Sequence, residues 1–219
     1  MGYYYSWGLE NAVKVRDLGV SVYYQPLNAL QLSLSGSYVY NWRRQDQFVE
    51  NIPQQHATRS IVGQVKQETL RFTGRLSYNI TPDLTLQYYG QPFITRPRYN
   101  HFAYVPDPAA KRYEDRFHVF DASEISFSNG EYRVQESANG MPGYSFSKPD
   151  FNFVQFRSNL IARWEYKAGS ELYLVWSQGN TPDANADLSS PLASSLWDYA
   201  FADQSRHSFL IKATYRFLK

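Results

Sequence analysis

The chain has 219 residues, 22 Lys and Arg against 20 Asp and Glu for a net charge of +2, and no Cys. That balance argues against a nucleic-acid or strongly anionic partner, and the missing Cys removes disulfide frameworks, thiol catalysis and zinc–thiolate sites. The mean hydropathy is −0.53 and there is no long apolar run, which excludes a helical membrane protein.

Residues 2–9 place Tyr3, Tyr5 and Trp7 on one face and predict a first strand, followed by a second over 18–25 and a short turn at 25–28. Residues 28–44 set Leu30, Leu32, Leu34, Gly36, Tyr38, Tyr40 and Trp42 against Gln31, Ser33, Ser35, Ser37, Asn41 and Arg43. A long loop is expected at about 45–66. Residues 69–80 repeat the pattern, with Leu70, Phe72, Gly74, Leu76, Tyr78 and Ile80 opposing Thr69, Arg71, Thr73, Arg75, Ser77 and Asn79. A turn at 81–83, where Pro82 presets φ, leads to a strand over 84–93 and then to a second long loop at about 96–150. Residues 153–167 oppose Val154, Phe156, Leu160, Ala162, Trp164 and Tyr166 to Gln155, Arg157, Asn159, Arg163 and Glu165, with Ser158 interrupting the apolar side. Gly169 supplies the turn to a strand over 172–178, and a third long loop spans about 181–204. The last strand alternates Phe209, Ile211, Ala213, Tyr215 and Phe217 with Leu210, Lys212, Thr214, Arg216 and Leu218.

Soluble sandwich strands run about five or six residues, and these runs are roughly twice that, the length that crosses an outer membrane. The expected fold is therefore an all-β, antiparallel outer-membrane β-barrel of about eight strands, with short turns on the periplasmic side and long loops outside. The 17% aromatic content fits interfacial girdles, and water on one side of each strand explains the polar average. Residues 1–5 begin in strand-like sequence without a basic n-region, apolar h-region or cleavage site. Export to the bacterial outer membrane needs such a leader, so the expectation is a mature or engineered form, or part of a longer protein.

The stretches Pro82-Asp-Leu-Thr-Leu-Gln-Tyr-Tyr-Gly-Gln-Pro-Phe93 and 148–178, the latter containing Phe156-Arg-Ser-Asn-Leu-Ile-Ala-Arg-Trp-Glu-Tyr166, resemble the C-terminal β-barrel of a bacterial outer-membrane family of unknown function. Members of that family carry, ahead of the barrel, a domain similar to family-nine carbohydrate-binding modules. The resemblance covers roughly residues 15–219 and implies that these strands are the C-terminal part of a larger barrel. It also brings carbohydrate-related ligands into view, although the sugar-binding-like domain itself has no counterpart here.

Alternation gathers Arg43, Arg71, Arg75, Arg157, Arg163, Lys212 and Arg216 with Glu165 and Glu171 on the inward face. This set reads either as an anion-attracting pore wall or as the hydrogen-bonded plug of a small barrel. Cations outnumber anions, and burying unpaired charge is costly, so a wide, wet lumen completed by further strands is expected. The first and last strands should then not pair with each other.

The histidines offer no lumen-facing base: His56, His101 and His118 fall in expected outer loops, and His207 shares the parity of Phe209. Catalysis is not expected. Residues 183–187 begin like a calcium loop but fail at Leu188 and Ser194, so no metal or cofactor is expected. The 96–150 loop contains a hairpin signal at Asn129-Gly130 and the rings Tyr99, Tyr104, Tyr113, Phe117, Tyr132 and Tyr144. It reads as an extracellular cap, as a stacking surface for a carbohydrate or protein partner, or as an inward-folded constriction. Two roles stay open: a channel, uptake or surface-binding component, or a structural barrel that anchors another domain or docks in an envelope complex. A barrel hydrolase would need a working lumen carboxylate such as Glu165.

Overall fold

The computed structural model describes residues 2–8, 13–54, 58–112, 114–136, 143–183, 188–202 and 205–217. In chain order the elements are β1 (Gly2–Gly8), β2 (Val13–Leu27), β3 (Leu30–Pro53), β4 (Thr58–Thr81), β5 (Leu84–Tyr104), β6 (His118–Val119), β7 (Ile125–Ser128), β8 (Glu131–Val134), β9 (Tyr144–Ser147), β10 (Phe153–Lys167), β11 (Ser170–Asn180), α1 (Leu192–Ala200) and β12 (Arg206–Ala213). Extended segments joined by tight turns pair with their chain neighbours. The result is one antiparallel sheet in the order β1-β2-β3-β4-β5-β10-β11-β12, with β6 attached to β5, and a smaller sheet β7-β8-β9. Among the described residues β1 pairs only with β2 and β12 only with β11. Among the described residues the sheet does not close into a barrel, and the first and last strands do not pair with each other, as the charge imbalance led us to expect.

Short turns at 28–29, 82–83 and 168–169 lie at one end, and long excursions leave from the other. Gly169 takes φ 75°, and the Asn129-Gly130 hairpin has both central residues at positive φ (53° and 83°), which is the type I′ requirement. The expected loop at 45–66 is corrected. Strands β3 and β4 stay paired out to Pro53 and Thr58. Three register shifts, at Asn41/Arg44, Arg44/Gln47 and Phe48/Glu50, insert residues into β3, so the alternation is lost in sequence while the ladder continues. Asp46, at φ 59°, sits within this bulged stretch.

The ladder sorts side chains into two faces, since cross-strand partners share a face. One continuous row runs Tyr38–Leu70–Ile94–Val154, and lower rows on that face hold Leu32–Leu76–Tyr88–Leu160–Trp176–Phe209 and Ala162–Leu174–Ile211. Many of these side chains are uncovered: Leu34 is 60%, Phe209 78% and Ile211 73% exposed. The opposite face carries Ser33, Ser35, Arg71, Arg75, Arg157 and Lys212.

The long excursions cover the outer ends of both faces. On the polar side β7-β8-β9 packs over β4 and β5 in a core of Ile61, Phe102, Tyr104, Phe120, Val134, Tyr144 and Phe146. Gly63 makes room for it, because a Cβ there would lie 3.1 Å from Phe102 Cδ1 and 3.4 Å from Tyr99 Cδ1. On the apolar side the expected loop at 181–204 contains α1, whose Leu192, Leu196 and Ala200 share one helical face. Leu196 and Ala200 are fully buried against Ile94, Val154 and Phe156. Arg96 ties this packing together by donating from Nε to Asn152 Oδ1 (2.6 Å), from Nη1 to the Ser190 carbonyl (2.7 Å) and from Nη2 to Ser195 Oγ (3.0 Å). Asn180 Nδ2 donates to the carbonyls of Tyr199, Ala200 and Ala202 at the helix C-terminus, satisfying groups that a helix end leaves open.

Replacing Gly63 with Val should overpack the cap seat at a cost of about 1–3 kcal/mol. Limited proteolysis should then cut within 105–149 sooner than in the wild type while the eight long strands stay protected.

Candidate functional site

The polar face of the large sheet is where the sequence-assigned cations converge, and each is placed by its strand's parity. Arg71 Nη2 donates to Ser37 Oγ at 3.3 Å, and the Arg75 guanidinium lies over the Tyr89 ring, 5.5 Å from its centroid. Both project from β4, between the serine-rich face of β3 and the glutamines of β5, where Gln91 Nε2 donates to Thr73 Oγ1 at 3.1 Å. Toward the short turns the charges are paired. Arg163 Nε donates to Glu171 Oε1 at 3.0 Å, and Tyr173 Oη donates to Glu171 Oε2 at 2.9 Å. Arg163 Nη2 is also bonded to Glu171, and lies 3.9 Å from Glu165. Lys212 stands over the Tyr173 ring at 5.7 Å. Glu165 accepts from the Gly169 amide at 2.8 Å, which turns it toward the hairpin backbone. Arg216 lies past the end of β12 and folds over that same turn, its amide donating to Ser170 Oγ at 3.0 Å and its Cδ 2.5 Å from where a Gly169 Cβ would be.

Two members of the set stand apart. The shift at Asn41/Arg44 takes Arg43 out of the row: it pairs with Lys14 and lines an outer pocket with Val62, Gln64 and His101. This corrects its assignment by simple alternation, because one inserted residue inverts every side chain beyond it. Arg157, opposite Gln91 and Gly179, is exposed and lines a separate cavity that also holds Arg206. Arg206 precedes the alternation that begins at Phe209 and was not counted with the inward cations. Its even spacing from Lys212 was the available signal.

A pocket of about 410 Å³ opens on the polar face, lined by Tyr23 of β2, Gln31 and Ser33 of β3, Arg75 and Ser77 of β4, Gln87 and Tyr89 of β5, and Asn159 and Ile161 of β10. In a flat sheet β2 and β10 would lie about 19 Å apart, four strand spacings. The pocket thus spans the polar side of five neighbouring strands.

The aromatic residues of the 96–150 segment are spent differently from a stacking surface. Tyr104 and Tyr144 are buried, and Tyr99 and Tyr132 pack against the cap core. Tyr132 rings with Phe102 (4.5 Å), Phe127 (4.7 Å) and Phe146 (5.3 Å). Phe117 is half-buried beside Arg43 and His101, and Tyr113 lies outside the described residues. Of the three readings of this segment, the packing of these rings is that of a cap with its own small core, with apolar burial as the reason.

An ion pair pins that core to β4. Arg59 Nε and Nη2 donate to the two Glu136 oxygens at 2.9 and 2.8 Å, Tyr144 Oη donates to Glu136 Oε1 at 2.8 Å, and the Arg59 guanidinium lies 4.3 Å from the Tyr104 centroid. Glu136 holds the Arg59 cation more firmly than usual, and burial together with that carboxylate pushes the Tyr144 hydroxyl far above its ordinary value. His118 Nε2 lies 3.0 Å from the buried Glu124. His207 stacks on Trp176 on the apolar face, away from the polar pocket. His56 and residues 184–187 lie outside the described residues, and among those described no three His, Asp or Glu side chains gather as a metal site.

No family model matches the chain, and no curated protein or solved structure matches it.

Removing Glu136 alone should be costly because it strands a buried guanidinium. Glu136→Ala is expected to lose about 3–5 kcal/mol, read as early unfolding of the cap tyrosine signal in denaturant. The double change Arg59→Met with Glu136→Leu should recover most of that loss.

Proposed function

We propose that this chain forms part of the wall of a bacterial outer-membrane β-barrel, in which solutes pass or are taken up along the polar face while the apolar face meets lipid. The observation that carries this reading is the sorting of side chains over the eight long strands: uncovered Leu, Val, Trp and Phe on one face, and Arg, Ser, Gln, Asn and Tyr lining a pocket on the other. A soluble sheet buries its apolar face against a second layer. Here α1 covers only the outer rows, leaving Leu18, Val20, Val22, Leu34, Leu174 and Ile211 bare. On β4 the apolar row from Leu70 to Ile80 spans about 33 Å at 3.3 Å per residue, enough to cross hydrocarbon.

An open strand edge cannot stand in lipid. In this reading the free edges of β1 and β12 are completed by further strands, in keeping with the resemblance to the C-terminal part of a larger barrel. The cap, on the polar side, sits where it narrows the outer mouth, and α1 presents Trp197 and Phe201, 48% and 53% exposed, at headgroup level. Carbohydrate-related ligands or a protein partner would meet the molecule at this outer end. The paired Arg163–Glu171–Tyr173 group favours a second reading, a structural barrel that anchors another domain or docks in an envelope complex.

Planar-bilayer recording separates the two readings. The channel reading expects stepwise conductance with anion preference, given the excess of cations over carboxylates on the polar face among the described residues, whereas folded protein that inserts without conducting leaves the structural one. Arg at Leu34, Leu76 or Ala213 should cost about 2–4 kcal/mol of folding into bilayers, and Arg at Ser35 or Thr73 much less. Equal costs on the two faces would overturn the membrane assignment. Protease added to intact cells should cut within 105–149 or 181–205, and cleavage at the 28–29, 82–83 or 168–169 turns instead would invert the topology.

A further inference from the structure

On three neighbouring strands Arg157, Gly179 and Arg206 stand in one cross-strand row, the glycine between the two cations. The arginines sit about 10 Å apart at their Cα atoms, two strand spacings. Both are exposed and line a cavity of about 400 Å³ with Gln155, Gly179 and Thr181. Nothing lies within 4 Å of the position a Gly179 Cβ would take, so the floor between the guanidinium groups is open and a ligand can approach the backbone. The row toward the outer end holds Gln155 and Thr181, joined at 3.2 Å, and the row below holds Asn159, Ser177 and Ser208. Among the described residues these three rows contain no carboxylate; the nearest on this face is Asp183, in the next row opposite Phe153, whereas Arg163 has its charge answered directly by Glu171.

We infer that this cleft is an oxyanion-binding subsite on the polar face, taking the carboxylate or phosphate group of a small solute. The inference rests on the reading of that face as a solute path. Two like charges facing one cavity repel each other until an anion enters between them, and guanidinium groups present paired donors that match the oxygens of carboxylate and phosphate. Gln, Thr, Asn and Ser around them supply neutral donors for the remaining oxygens. Gly179 is the specific element: its missing side chain leaves the space where the anion sits.

The test is equilibrium dialysis of the detergent-solubilised protein against labelled inorganic phosphate and, separately, labelled succinate, at low ionic strength. Arg157→Gln and Arg206→Gln should each weaken binding about tenfold or more, the loss expected for one charge-assisted contact. Gly179→Val, which keeps both charges and fills open space, should weaken it comparably, and Arg71→Gln, elsewhere on the same face, should leave it unchanged. Loss with phosphate only, or with succinate only, assigns the solute group. Wild-type binding in both Arg157→Gln and Gly179→Val would overturn the inference, as would an equal loss in Arg71→Gln, which would mean a diffuse field instead of a site. Dialysis needs no membrane passage, so binding without bilayer conductance would defeat the channel reading and leave the subsite standing.

Discussion

The continuous antiparallel ladder is the constraint on which everything else rests. Its hydrogen bonds fix which residues stand opposite one another, and because side chains alternate, each pairing also decides the face on which a charge or a leucine emerges. Leu70, Ile94 and Val154 share a row, as do Arg71, Phe93 and Gln155 one residue away. A single bulge is enough to move Arg43 out of the polar set, so the polar wall is a property of register more than of composition.

The two insertions at the outer end exploit this two-sidedness. The β7-β8-β9 cap seats on the polar face through Gly63 and the Arg59–Glu136 pair, while α1 seats on the apolar face through Arg96 and Asn180. In both places a buried charge or amide is answered by several hydrogen bonds, which is what makes its burial tolerable. Arg96 is only 3% exposed, yet its guanidinium reaches β10's approach, the loop before α1 and the helix itself. These polar anchors fix where the insertions dock, and the apolar contacts around them supply the bulk of the attraction.

Among the described residues β1 and β12 each have a strand partner on one side only. A sheet with uncovered apolar residues and unpaired edges is an aggregation hazard in water, and both features call for a covering layer or further strands. Charge pairing also changes along the polar face. Near the short turns Arg163, Glu171 and Tyr173 satisfy one another, whereas among the described residues Arg157 and Arg206, nearer the other end, line a cavity without an ion-paired carboxylate. Fixed cations lacking a protein counter-charge draw mobile anions.

Periodicity alone determined the antiparallel all-β architecture, the positions of the short turns, the hairpin at Asn129-Gly130 and the side on which Arg71, Arg75, Arg157 and Lys212 emerge. These follow from nearest-neighbour geometry, a period of two and turn residues able to take positive φ. The ends of β3 and β4, the displacement of Arg43, the helix within 188–202 and the burial of Tyr104 and Tyr144 were decided only by tertiary structure. Bulges erase alternation without breaking a ladder. A nine-residue helix is held by Ile94, Val154 and Phe156, far away in sequence, and an aromatic-rich loop reads the same whether its rings meet solvent, a ligand or one another. Arg206 illustrates the limit: its parity was legible, but its partnership with Arg157 across Gly179 exists only once β10, β11 and β12 are aligned.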